Sequence, residues 1–543
     1  MITNQGDNVI RRLIAFFIFI ALFCLESLSQ EPRAAVDSLI SEEADSTTIA
    51  RIIEEGSKNS KVMEYLSYLT DVYGPRLTGS RAYKQAAEWT RNTLTSIGLS
   101  NARLEGWGPF GRGWELKRYS ANVIGRQAFP LHSYPKAWST GIDASGEVVL
   151  FDARTDSALA LFKGKLRGKF VLMDGPRTVE VKFDPAAIRY TDAQLLELAN
   201  SDTPRPRRPR RSNLGARQRD RTNIDYKKMD MCEKEGALAI LSAGAFDGGS
   251  IMVLSASVLQ HPDTPSANRV RAWDARARKI LPQIAVGVEH YNRMARALQK
   301  GEKLKIEIDL EVEFTKVDSG YNVLAELPGT DLHDEIVMIG AHLDSWHGAT
   351  GATDNGTGVS ICMEAMRILK TLDPKPRRTI RIGLWGGEEQ GTYGSKAYVK
   401  QHLGERITQS GGEPKITLKP EAEKFSVYFN DDNGTGKFRG IYMERNEAVR
   451  PIFRKWFTPF GKENSFTLTI GGTTNTDHQA FDQIGLPAFQ FIQDDIEYFT
   501  KTWHSTMDLY DRAIEDDLKQ CSMVMAGFAY NAAMRDEKIP RKK

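Results

Sequence analysis

Ile336-Val-Met-Ile-Gly-Ala-His342-Leu-Asp344-Ser-Trp-His347-Gly-Ala-Thr-Gly-Ala-Thr-Asp354-Asn-Gly-Thr-Gly358 reads as a buried strand, then a glycine-rich loop, then a helix start. The apolar, β-branched run to Gly340 delivers His342 and Asp344 at the strand end, and the loop carries Asp354 to the helix. Ligands at strand ends on a rigid scaffold, joined by a loop able to wrap, suit an ion site in an α/β sheet. One His and one Asp are too few for such a site, so its partners must come from elsewhere in the chain.

Working outward, 543 residues exceed a single ordinary core, and a prior of roughly 100–200 residues per domain gives two to four units. Hydrophobic content of 41% and charged content of 26% are ordinary for a globular protein and indicate neither a disordered chain nor a membrane bundle. A net charge of +3 gives no reason to expect a nucleic-acid partner. Arg11-Arg12, the apolar run Leu13–Leu25 and the small-residue pattern Ser27-Leu-Ser29 have the order of a secretory signal peptide, residues 1–29. The apolar run is shorter than the ~20 residues of a spanning helix, so no stable membrane insertion is expected after its removal. The remaining cysteines, Cys232, Cys362 and Cys521, are odd in number and read as small core residues rather than a disulfide framework.

The N-terminal part, residues 30–127, gives amphipathic helices on either side of Tyr73-Gly-Pro-Arg76 and short strands near 102–106 and 119–124. Residues 128–313 carry short β signals at 146–151, 168–173, 237–241 and 304–310, with one or two helices between them, and read as an inserted, mainly-β domain. His132, His261 and His290 stand alone there. Pro204-Arg-Pro-Arg-Arg-Pro-Arg-Arg211, with Arg217, Arg219 and Arg221 beyond it, reads as a solvated loop. From 314 to 535 strands and helices alternate, which predicts an α/β fold with a mixed, largely parallel sheet flanked by helices; residues 536–543 are left as a tail.

The strand Ile380–Trp385 ends in Gly386-Gly-Glu388-Glu389, where two adjacent carboxylates point in different directions, one toward a metal and one toward substrate. A further strand, Phe425–Phe429, ends in Asn430-Asp431-Asp432, and Thr502-Trp-His504 lies near the C-terminus. His342, Asp354, Glu389, Asp432 and His504 are then the side chains with ligand chemistry at strand ends or adjoining loops, a mixed N/O set that suits zinc, with manganese or cobalt as alternatives. Two divalent ions need about this many ligands, with Asp354 best placed to bridge. Asn355-Gly-Thr and Asn433-Gly-Thr match glycosylation sequons, but a glycan beside a metal site would obstruct it, so both read as coincidence.

The segments His342-Leu-Asp-Ser-Trp, Gly351-Ala-Thr-Asp354-Asn-Gly-Thr-Gly, Trp385-Gly-Gly-Glu388-Glu389, Asp432-Asn-Gly-Thr and Trp503-His504-Ser together resemble the aminopeptidase and glutamate carboxypeptidase family of co-catalytic di-zinc exopeptidases (clan MH), with the plasma glutamate carboxypeptidase branch nearest. The resemblance implies the zinc-exopeptidase, phosphorylase/hydrolase-like fold with a protease-associated-like insert, and two Zn2+ per chain. It implies that His342 and Asp432 complete one ion, that Glu389 and His504 complete the other, and that Asp354 bridges them. Glu388 is implied as general base and Asp344 as the carboxylate orienting His342. A longer interval before Asp432, from an insert near 404–424, keeps Asp431 as its competitor; His347 is expected to line the pocket. Thr474-Asn-Thr-Asp477-His478 resembles a family loop near the substrate. The expected chemistry is hydrolysis of short peptides by a water activated between the ions, with Glu388 taking its proton. No G-x-S-x-G elbow supports an acyl-enzyme. The leading reading is a secreted or periplasmic aminopeptidase or dipeptidase. A glutamate-type carboxypeptidase and a catalytically silent metal-containing binding protein are the alternatives. Peptide is the expected partner, and a homodimer is left open.

Overall fold

The computed structural model describes residues 45–201, 212–407, 414–461 and 466–542. The signal segment 1–29 and the Arg/Pro run 204–211 lie outside them. The first strands are β1 (Ser100–Trp107), β2 (Gly111–Ile124), β3 (Phe129–Pro130), β4 (Ser133–Pro135), β5 (Ile142–Leu150) and β6 (Phe170–Leu172). β7 (Ala239–Ala243), β8 (Gln283–Val286), β9 (Lys305–Val317), β10 (Gly320–Leu327), β11 (Leu332–His342) and β12 (Arg378–Trp385) come next. The last are β13 (Gly404–Ile407), β14 (Lys415–Leu418), β15 (Phe425–Asn430), β16 (Phe438–Tyr442), β17 (Thr467–Thr469) and β18 (Ala488–Gln493).

One eight-stranded sheet runs β1-β10-β12-β11-β15-β18-β16-β17. Its centre is parallel, β12 beside β11 beside β15 beside β18, and β10 and β16 join the two sides of that centre antiparallel. Residues of β11 alternate between two cores: Val337, Ile339 and Ala341 pack with the helices Ser46–Lys58, Thr357–Leu372 and Glu515–Met534, while Met338 packs with Tyr398, Phe481 and Tyr428 on the other face. A strand covered on both faces can be apolar throughout, as 336–341 is. Each fully buried aliphatic side chain contributes roughly 1.5–3 kcal/mol, which keeps these strand ends rigid.

The second eight-stranded sheet runs β3-β2-β9-β5-β6-β7-β8-β4. β2 pairs with β9 from Gly111↔Val317 to Ile124↔Lys305. By sheet membership this unit therefore starts at Gly111 and ends at Val317, outside the expected limits of 128 and 313. Long-range strand pairing leaves no local mark, so sequence pattern could not place that edge. The unit is also more helical than expected: Asp156–Ala160, Asp192–Ala199, Ser212–Glu235 and Val288–Gln299 are helices. Arg217, Arg219 and Arg221, expected in a loop, fall within Ser212–Glu235, where Ala, Arg, Gln and Lys are good helix formers. The insert near 404–424 is the hairpin β13–β14. The expected tail is docked: Ile539 is buried, and the Asn446 side-chain amide donates to the Pro540 carbonyl at 2.6 Å. Cys232, Cys362 and Cys521 are free and buried.

Candidate metal centre

The parallel strands end on one edge, and the predicted ligands lie just beyond them. His342 closes β11, Glu388 and Glu389 come after β12, Asp431 and Asp432 after β15, and His504 lies in the segment after β18. Between His342 and Asp354 the chain reverses through Gly351, whose φ of +67° favours glycine and where a Cβ would come within 2.3 Å of the Ser345 Cβ. Gly358 lets the helix Thr357–Leu372 start tight against the β15 edge, since a Cβ there would lie 2.4 Å from Asn355 Oδ1.

All five predicted ligands converge. His342 Nε2 is 3.2 Å from Asp354 Oδ1 and 3.3 Å from Asp432 Oδ1. His504 Nε2 is 3.2 Å from Asp354 Oδ2 and 3.0 Å from Glu389 Oε2. The ligand atoms of His342, Asp354 and Asp432 lie within 4.8 Å of one another, as do those of Asp354, Glu389 and His504. Asp354 is the shared member and turns one oxygen to each imidazole. Buried Glu389 Oε1 has no hydrogen-bond partner among the described residues, and two imidazoles with three carboxylates are a donor set that divalent cations take. The residues therefore fit the expected pair of ions.

Their electrostatics in the metal-free chain agree with a site built for positive charge. Burial works to lower both imidazoles, but the Asp432 charge and the carboxylate hydrogen bonds hold His342 well above its usual range, and the Glu389 charge with its companions lifts His504 to about 10. Burial pushes Asp354 up, yet hydrogen bonds from His342 and His504 leave it below the ordinary carboxylate range. Glu389 is pushed up to about 7, by burial first and then by the Asp354 charge. Glu388, not a member of either ligand group, is raised well above its usual value by burial, with Asp432, Asp477 and Glu389 adding to the effect.

Asp344, Asp431 and His347 are placed as follows. The Asp344 carboxylate lies 3.7 Å from His342 Nδ1, and the Asp344 carbonyl oxygen is closer to that nitrogen at 2.9 Å. The carboxylate accepts from Thr78 Oγ1 at 2.8 Å and from the main-chain N–H groups of Glu388 at 3.1 Å and Glu389 at 3.3 Å. The tight turn after His342 brings its own carbonyl to the ring and frees the side chain to hold the Glu pair. Asp431 is buried with both carboxylate oxygens unpartnered among the described residues, and strand alternation leaves Asp432 as the one facing His342. His347 does not line the cleft: its Nε2 meets the Pro135 carbonyl at 2.8 Å, and its ring packs edge-on to Trp114.

Burial holds His347 down to about 4 from 6.5. Its neutral form is thus favoured by folding: the stabilisation is complete above pH 6.5 and is lost as pH falls toward 4, because the unfolded chain takes up the proton first. That window is worth about 3 kcal/mol. Denaturant unfolding of the wild type and His347→Gln at pH 4.5 and 7.5 is expected to show a smaller acid loss in the variant; an equal loss would place the sensitivity elsewhere.

Sequence reasoning missed Arg76 and Asp508. Asp508 accepts from Thr353 N at 2.6 Å, Thr353 Oγ1 at 2.7 Å and Asp354 N at 3.1 Å, fixing the turn that presents the shared carboxylate. Its carboxyl is pushed up to about 7 by burial and then by Asp354. The second unit also reaches the centre: Val253 N donates to the His504 carbonyl at 2.8 Å, and His504 itself sits at φ +54°. The amides of both sequon asparagines are engaged inside the protein, Asn355 Nδ2 with the Asp431 carbonyl and Asn433 Nδ2 with the Phe491 carbonyl. Beside the ligands opens a cleft of about 730 Å³, lined by Glu388, by aromatic rings including Trp273, Trp346 and Phe499, and by the Thr473–Thr476 loop.

Two three-residue groups with metal-ligand chemistry share one carboxylate on the C-terminal edge of a parallel sheet and open to a cleft. Residues 322–529 match the profile of peptidase family M28. Over 97% of its length it is 24% identical to carboxypeptidase Q of Rattus norvegicus, 99% of which is covered. A crystal structure of a peptidase M28 precursor from Shewanella amazonensis superposes with a TM-score of 0.62 at 22% identity, covering 92% of this chain and 98% of that one. BSAP, a zinc aminopeptidase from Bacillus subtilis, superposes with a TM-score of 0.52 at 18% identity, covering 88% and 96%. The mixed α/β fold is common to these structures. Among the described residues, no helix is long and apolar enough to cross a membrane.

Proposed function

We propose that this chain is a zinc-dependent exopeptidase, an aminopeptidase or dipeptidase, exported by its N-terminal segment, with the Gly111–Val317 unit a protease-associated-like domain. The observation that carries the reading is the shared Asp354 between His342/Asp432 and Glu389/His504, with an unligated carboxylate, Glu388, beside it in the cleft. Two zinc ions held there would supply Lewis acidity to the scissile carbonyl and bring a water toward neutral pKa. Glu388, its main chain held by Asp344, takes the proton of the attacking water and hands it to the leaving amine. The buried surroundings that raise Glu388 suit it to hold a proton between those steps. A 730 Å³ cleft takes a short peptide rather than a folded substrate.

A carboxypeptidase reading is favoured by Arg271, which lines the cleft and has no carboxylate partner among the described residues. A panel of dipeptides blocked at either end, with Leu- and Ala-arylamides, separates the two. Cleavage that needs the free amine and is abolished by a chelator supports the first; a strict need for the free carboxylate supports the second. A chain that binds two zinc ions and cleaves nothing in the panel is a binding protein, and the enzyme reading fails.

A further inference from the structure

Arg76 is fully buried, yet its guanidinium touches no carboxylate among the described residues. Its donors go to main-chain carbonyls: Nε to Leu343 at 2.7 Å, Nη1 to Leu69 and Thr350 at 2.8 Å each, and Nη2 to Gly351 at 2.8 Å. Its own N–H donates to Ser345 Oγ at 3.0 Å, and its carbonyl accepts from Ser345 N at 3.1 Å. Leu343 comes directly after His342, and Gly351 stands three residues before Asp354. One planar group therefore ties together the outgoing and returning stems of the loop that separates two ligands, and joins both to the N-terminal helices. An isolated buried cation is costly unless compensated. Here the compensation is at longer range, from the charges of Asp508, Asp344 and Asp354.

We infer that Arg76 is a positioning residue of the metal centre. Its fork closes the 343–351 loop so that His342 and Asp354 stand within one ion's reach, and its charge offsets the carboxylates that the loop buries. The inference rests on the reading of His342, Asp354 and Asp432 as zinc ligands. Lysine would keep the charge but cannot span carbonyls on both stems, because its donors radiate from one atom instead of a rigid fork. Groups that orient metal ligands without touching the metal typically change affinity about 10–100-fold.

The test uses the full chain as wild type, Arg76→Lys, Arg76→Gln and Ser345→Ala. Zinc affinity is measured by chelator competition on folded protein, Co2+ absorption is recorded, and kcat and KM are taken at saturating zinc. Arg76→Lys is expected to bind the weaker of its two ions about 10–100-fold less tightly than the wild type does, with an altered cobalt spectrum, lowered kcat and KM within about threefold. Arg76→Gln should lose more. A purely structural role would lower the unfolding midpoint and leave affinity and the cobalt spectrum of the folded fraction unchanged; that result in either Arg76 variant overturns the inference. If neither variant folds, amide exchange of the wild type decides: slow exchange across 343–351 in the zinc-free chain supports the inference, protection that appears only with zinc overturns it, and Ser345→Ala, which keeps every guanidinium bond, should match the wild type. A wild type that binds no zinc would instead sink the metal reading on which the inference rests.

Discussion

Glu388→Gln is expected to keep both metal ions and lose nearly all turnover. The substituted glutamine would retain the size of the side chain and the main-chain N–H held by Asp344 at 3.1 Å, but its amide cannot accept a proton. Glu388 belongs to neither ligand group, so metal content and folding should match the wild type. A positioned general base contributes about 10²–10⁴ in rate, and because the proposed mechanism uses the same group for the leaving amine, the fall in kcat should sit near the upper end, with KM within about threefold. The neighbouring Glu389→Gln should behave differently, since Glu389 Oε2 lies 3.0 Å from His504 Nε2: it should lose one ion first and activity as a consequence. Metal analysis with steady-state kinetics on both variants checks the assignment. Retention of more than a tenth of wild-type kcat in Glu388→Gln, or loss of metal from it, would remove Glu388 as the base.

Of the proposed ligands, His342, Glu389 and Asp432 are legible in the sequence because each closes or directly follows a punctuated strand, while Asp354 and His504 lie in the loop after β11 and the segment after β18. An apolar run such as 336–341 or 380–385 can only be buried, and the polar residues between its end and the next glycine must lie at the sheet edge. Five such segments, taken together, fix a geometry that none fixes alone. Residues that support the ligands are not legible, because their contacts join stretches far apart in the chain. Arg76 in a Gly-Pro-Arg turn looks like a surface cation, and only the return of 343–351 over it makes it buried. Asp508 lies four residues beyond His504, in a segment already marked, but its role depends on where the Thr353–Asp354 main chain runs. Asp344 has the sequence position of a carboxylate serving its neighbouring histidine, and the turn geometry sets its carbonyl oxygen closer to the ring than its carboxylate. The short strands β16 and β17 carry too few residues to show a period, and β2 belongs to the second sheet only through its pairing with β9.

Asp354→Asn is expected to weaken both ions, unlike loss of a histidine, which should weaken one. The carboxylate turns Oδ1 to His342 and Oδ2 to His504, each at 3.2 Å. Asparagine offers one oxygen and one NH2 group, so one site keeps a neutral acceptor and the other faces a donor. Zinc affinity should fall at least about 100-fold overall, beyond the range seen for groups outside the ligand set, and kcat with it. Adding His504→Ala to Asp354→Asn should then cost less than in the wild type, because the second ion is already lost. Protons give an independent readout. In the metal-free wild type at pH 7 both imidazoles are held charged by the carboxylates around them, His504 up to about 10. Both must lose a proton to bind metal, so affinity rises with pH and binding releases protons. Without the Asp354 charge both imidazoles fall toward their ordinary range, and the variant should release fewer protons per zinc. Calorimetric titration in two buffers of different ionisation enthalpy measures that number. An unchanged proton count, or wild-type affinity for the ion that remains, would mean that Asp354 serves one ion and is not shared.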